Sequence, residues 1–276
     1  MQNLSKSKRY IFGADAIGVS GNITHLFLDD IIPVQAAMAL PSDGGLGTVR
    51  IDGFRHKDIL SFSSAHSEVV GKEKDEGVYE TLSTSVVENF NLLDTVTCDR
   101  MVARLEGRYP CGNEDEDDFA SPPELCVVPL GSKFEGLRVG DHYFKILEIA
   151  PFFCRPDRAS WTSLEKALED EDERRMLEPL SLPDADGNPV PLPGRGQKAD
   201  LLGFGIALGE PEPDTKPRFP LCFDLPDFGI VHLGEFFCSP DSRSLTMLRV
   251  QLRGKHHGLA TGAHCLIRSE PYPPWG

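Results

Sequence analysis

Residues 160–177 are the one stretch of this sequence with a convincing helical period, and most of the rest reads as strand and turn. That imbalance restricts the chain to a mainly β fold. Within 160–177, Thr162 and Glu165 stand at capping-box spacing. Leu164, Ala167, Leu168, Met176 and Leu177 supply an apolar stripe that breaks at Asp172. Asp170–Arg174 and Glu171–Arg175 are acid-before-base pairs at i,i+4, the order that suits the helix dipole. The broken stripe predicts one helix that is largely exposed or caps a sheet edge.

Residues 9–24, 46–54, 58–70, 77–87, 93–105, 125–130 and 137–149 are rich in β-branched and aromatic residues between Gly, Asn and Asp turn signals. In 46–54, Val49, Ile51 and Gly53 are expected on one face and Thr48, Arg50, Asp52 and Phe54 on the other. The charged segment Gly71–Gly77 predicts a hairpin with a long connection. Further on, 199–208 reads as one strand, and 228–238, 245–253 and 259–268 as a meander. In the middle strand of that meander the apolar face is Leu248, Val250 and Leu252.

Strand and helix do not alternate regularly, which argues against Rossmann, flavodoxin-like and TIM architectures. The expectation is an antiparallel β-sandwich or barrel-like architecture with one exposed helix and long Pro/Gly-rich loops. Three regions are expected: a β-rich region over 1–156, a helix plus Pro-rich linker over 157–197, and a β-meander over 198–276. The meander either packs into the same domain or stands alone. The acidic block 114–118 and the Pro-rich stretch 179–196 are read as exposed loops.

The net charge is −15, and no Lys/Arg cluster stands out to attract phosphate backbones, so nucleic acid is not expected as a partner. No apolar run reaches the roughly 20 residues that span a bilayer. The basic start, Met1–Tyr10, has no apolar region after it, so it does not read as a secretory signal. Seven cysteines at wide, irregular spacing, with no CxxC pair, predict reduced structural thiols and a cytoplasmic location.

Each chemical motif fails on a named residue. Gly203–Gly209 has the glycine density of a dinucleotide loop, but such a loop must open a helix, and Pro211 and Pro213 follow at once. Gly13–Gly21 lacks the Lys-Ser/Thr of a P-loop, and Gly18–Asn22 lacks the last Gly of a nucleophile elbow. Asp184–Asn188 begins like a calcium loop, but Pro189 takes the sixth position and the distal Glu is missing. His232 and Glu235 stand three apart, which in a regular strand puts them on opposite faces. The densest potential ligand set is His256, His257 and His264, with Cys265 adjacent. A turn at 254–258 would bring His257 and His264 onto neighbouring strands and offer a Zn or Fe site. No other cofactor is predicted.

Two readings of function follow. The first is a non-enzymatic cytoplasmic interaction or assembly protein, working with a protein partner or with its own copies. Its tail residues Tyr272 and Trp275 stand among prolines as candidate contact points. The second is a small-molecule enzyme or binder with a barrel or sandwich pocket, metal-dependent through His256, His257 and His264.

Overall fold

The computed structural model describes residues 10–25, 28–75, 77–110, 124–182, 190–194, 196–197, 199–208, 222–253 and 256–271. In chain order the strands are β1 (Tyr10–His25), β2 (Leu28–Ala39), β3 (Gly45–His56), β4 (Leu60–Asp75), β5 (Val78–Leu92), β6 (Val96–Tyr109), β7 (Cys126–Val128), β8 (Lys133–Val139) and β9 (His142–Ile149). After α1 (Trp161–Glu169) and α2 (Glu171–Leu177) come β10 (Leu202–Gly205), β11 (Ala207–Leu208), β12 (Cys222–Leu225), β13 (Gly229–Cys238), β14 (Ser242–Leu252) and β15 (His256–Pro271). The strands make two antiparallel sheets packed as a sandwich, with no closed barrel.

Sheet one runs β10-β13-β14-β15-β1-β2, with β12 beside β10 along β13. Sheet two runs β11-β9-β8-β6-β5-β4-β3, with β7 on β6. β1 pairs with β15 from Tyr10↔Pro271 to His25↔His256, so strands from both ends of the chain share sheet one. A single apolar cluster extends from Tyr10 to Ile267 between the sheets. Phe90, Phe134, Phe144, Phe204 and Phe236 are its largest fully buried side chains.

Each sheet carries a transverse crease. In sheet one, Ala36, Gly18, Ala263, Met247 and Gly234 face one another in turn across β2, β1, β15, β14 and β13. In sheet two, Gly53, Ser63, Asn89, Asp99 and Gly136 do the same across β3, β4, β5, β6 and β8. On alternate strands the crease residue has a positive φ: 49° at Ala36, 47° at Ala263, 65° at Gly234, 71° at Gly53, 51° at Asn89 and 60° at Gly136. One residue out of the extended region turns its strand over by a step and swaps which parity faces the core. In one strand alone this would be a bulge with a register slip. Here the facing residues do it together, and the pairing register between the strands stays unchanged through the crease.

The crease settles several faces. In β14, Leu245 and Met247 are buried before it and Leu248, Val250 and Leu252 after it, so both sets face the core. The expectation of a single apolar face at Leu248, Val250 and Leu252 missed the first half. In β3, Phe54 falls on the same side as Val49 and Ile51, and it stacks on Phe62 with ring centroids 5.2 Å apart.

The sheets meet closely at their centre. Ser83 Oγ donates to the Asp15 carbonyl at 2.7 Å and Ser85 Oγ to the Ile17 carbonyl at 2.9 Å. A Cβ on Gly18 would stand 3.0 Å from Ala65 Cβ. Small residues are what let a hydroxyl span the two layers here.

The helical stretch differs from its expectation. It is two helices broken at Asp170, whose Oδ1 accepts from the amides of Asp172 and Glu173 and so caps α2. The capping box of α1 is Ser160 with Ser163, not Thr162 with Glu165. Trp161, Leu164, Ala167 and Leu168 are buried, so α1 closes one side of the core. Gly71–Asp75 continues β4 as strand, because Lys72 and Lys74 find Glu80 across the hairpin at 3.2 and 2.7 Å. Residues 199–208 split between the sheets: β10 joins β13, the Ile206 amide donates to the Gly234 carbonyl, and β11 joins β9. The described part of 179–196 is tied to the sheet-one edge, with the Leu182 amide donating to the Gly203 carbonyl and Leu192 buried. The acidic block 114–118 lies outside the described residues. No described helix is long and apolar enough to cross a membrane.

Candidate functional site

A groove of about 810 Å³ lies on the outer face of sheet two. Strand register lays out its floor as a grid. One row runs Lys72, Glu80, Arg108, Cys126 across β4, β5, β6 and β7, and the next runs Val70, Leu82, Glu106, Val128. Pro156, Asp157, Ala159, Ser160 and Ser163 form a wall beside β7. The floor is therefore a charged row beside a largely apolar one.

Most charges in the groove are matched. Glu80 accepts from Lys74 and Lys72, and these ammonium groups hold its carboxyl below the usual range. Glu106 pairs with Arg104 at 2.6 Å, and Asp157 with Arg155 at 2.5 Å. The start of α1 is occupied: the Thr162 amide donates to Glu124 Oε2 and its hydroxyl to Glu124 Oε1, while Ser160 and Ser163 cap one another. Arg108 differs: its Nε, like that of Arg104, is buried with no hydrogen-bond partner, but unlike Arg104 it has no described carboxylate within ion-pair distance.

A second polar cluster lies on the outer face of sheet one. Glu235, 3% exposed, receives Arg249 Nε at 2.6 Å and Nη2 at 2.5 Å. His232 Nδ1 lies 3.7 Å from Glu235 Oε1. The crease at Gly234 brings these two onto one face, against the expectation of opposite faces. Burial, then the nearby Arg249, hold the His232 imidazole below its ordinary pKa, with Glu235 opposing. Cys222 faces His232 across the β12–β13 pair, and burial raises its thiol pKa. Arg249 takes both Glu235 oxygens and burial disfavours the Cys222 thiolate, which leaves the His232 imidazole as the base of this set. It is a buried ion pair with a neutral histidine beside it.

The histidines singled out from the sequence are spread along one strand. His256 and His257 open β15 opposite His25 and Thr24, whereas His264 lies opposite Ile17. Seven strand steps of roughly 3.3 Å separate His257 from His264 by about 23 Å. His257 is exposed, while His264 shares a 2.9 Å hydrogen bond with Thr246 Oγ1. Burial lowers the His264 pKa, with Asp15 opposing. Cys265 faces inward, its thiol pushed up to about 12 by burial. Among the described residues no three metal-ligating side chains are grouped to hold an ion. Tyr272 and Trp275 lie outside the described residues.

Cys98, Cys154, Cys222, Cys238 and Cys265 are free thiols, but Cys126 is disulfide-bonded, so the expectation of uniformly reduced cysteines does not hold. The groove was not foreseen from the sequence. Its signal was the alternation Arg104, Glu106, Arg108, which runs past the expected strand end at 105 and meant nothing until β4, β5 and β7 were set beside it.

No curated protein matches the sequence. Residues 10–174, more than half of the chain, match the family described as Domain of unknown function (DUF8256), and the chain belongs to that family.

Proposed function

We propose that the protein is a non-enzymatic interaction or assembly protein that associates through the shared rim of β2 and β3. The observation that carries this is the difference between its two rims. At one, the sheets end in the short strands β10, β11 and β12. At the other, β2 and β3 end both sheets with 12 residues each and lie side by side. Long edge strands present unpaired backbone groups that template further pairing. Ile31, Val34 and Leu46 are exposed there at 68%, 56% and 66%. Pro33 and the charges of Arg50, Asp52 and Arg55 restrict indiscriminate pairing along this rim.

Size exclusion with light scattering over a wide concentration range tests the reading. The expected result is self-association that the pair Val34→Lys and Leu46→Lys abolishes without unfolding the protein. A strict monomer that also retains nothing from lysate overturns it. The five free thiols support a cytoplasmic setting and the Cys126 disulfide opposes it. Alkylation of thiols in intact cells decides between them.

A second reading, small-molecule binding, is supported by the groove on sheet two. Clefts of about 300–1,000 Å³ are the usual size for such ligands.

A further inference from the structure

We infer that the groove on sheet two takes an elongated amphipathic monoanion, with its oxyanion on Arg108 and its apolar body along Val70, Leu82 and Val128. This rests on the small-molecule reading and names the ligand class for that site.

The argument begins with charge. Six ionic side chains line the groove: Lys72, Arg104, Arg108, Glu80, Glu106 and Asp157. All three acids are answered, Glu80 by Lys72 and Lys74, Glu106 by Arg104, Asp157 by Arg155. Among the described residues of the groove, Arg108 is the cation left over. Its immediate cross-strand neighbours are Glu80, already engaged, and Cys126, which is disulfide-bonded. A guanidinium whose Nε is buried and unpaired carries a desolvation cost that an arriving oxyanion removes. The planar fork of a guanidinium also suits two-point contact with a carboxylate. An anion is not drawn to the other positive feature, the start of α1, because Glu124 already sits there.

Shape supplies the rest. The row next to Arg108 offers Val70, Leu82 and Val128, and the wall offers Pro156 and Ala159. An apolar chain lying there covers the row from β4 to β7. Glu106, in that row and fastened to Arg104, disfavours a second anionic group along the body, so one charge at one end is the pattern that fits.

The test uses decanoate, decanol and decyltrimethylammonium as probes, with binding read by two-dimensional NMR titration of the full chain. Decanoate should shift the Leu82, Glu106 and Arg108 amides saturably and bind at least tenfold more tightly than decanol. Arg108→Gln should bring decanoate down to the affinity of decanol and leave decanol unchanged. Arg108→Lys should recover part of the difference. Equal binding of decanoate and decanol, unaffected by Arg108→Gln, overturns the oxyanion role and leaves the groove as an apolar binder. Preference for decyltrimethylammonium overturns the sign of the charge. No saturable shift with any probe overturns the small-molecule reading itself. Thermal denaturation of each variant, with unchanged amide spectra away from the groove, keeps a folding defect from passing as a binding loss.

Discussion

The Gly234 carbonyl accepts the Ile206 amide at 2.8 Å, at the residue where the chain leaves sheet one for sheet two. Gly234 has φ 65°, and a Cβ there would stand 2.8 Å from the Ala207 nitrogen. Gly234→Ala is therefore expected to destabilise by about 1–3 kcal/mol from φ alone, with the backbone clash adding to it. Urea denaturation should show a lower midpoint with an unchanged slope.

The same exchange read in reverse separates backbone strain from packing. Ala36 has φ 49° and is buried, whereas Ala16 is an equally buried alanine in a regular part of β1. Ala36→Gly loses about 0.8 kcal/mol of methyl burial and regains the roughly 1–2 kcal/mol that an L-residue loses in the left-handed region. It should be neutral to stabilising, while Ala16→Gly should destabilise clearly. Two equal losses in calorimetry would show that Ala36 stores no strain.

Ser83 and Ser85 fasten the sheets. Ser85→Ala should cost about 1 kcal/mol, the net worth of a hydrogen bond. Ser85→Val should cost more, about 1–3 kcal/mol, because the close approach of the layers leaves no room for a second methyl. The order of the two melting temperatures checks this.

Removing Arg249 leaves Glu235 buried without its partner. Arg249→Leu should cost about 3–5 kcal/mol. It should also raise the His232 pKa, since Arg249 lowers it and Glu235 raises it. NMR titration of the imidazole reads that shift directly.

Burial holds the imidazoles of His232 and His264 below the ordinary histidine value of 6.5 in the folded protein. The unfolded chain then binds more protons than the native one on acidification. Their contribution is present above about pH 6.5 and is lost as pH falls through the folded values. His264→Gln should flatten this acid limb of a stability–pH curve. An unchanged limb would assign the acid loss elsewhere.

Residue types with local consequences were legible in the sequence. Alternating β-branched and aromatic runs between Gly, Asn and Asp turns mark the strands, because strand and turn preferences act over a few residues. The start of α1 near Ser160 and the three strands of the C-terminal meander follow from the same local signals. The phase of those strands was not local. Leu245–Met247 and Leu248–Val250–Leu252 look like two faces of β14 until Met247 is set against Gly234 and Ala263. Only pairing across strands turns an interrupted alternation into a crease that keeps its register. The same holds for β1 against β15, separated by most of the chain, and for the switch of sheets at Ile206. It also holds for Arg108: a charged strand residue in sequence becomes an unmatched cation in a groove once its neighbours are known. His257 and His264, expected on neighbouring strands, stand seven residues apart on one, because β15 continues through both. Period and turn chemistry determined that the chain is β; the facing of residues distant in sequence decided which side of each strand meets the core and where an unpaired charge is left.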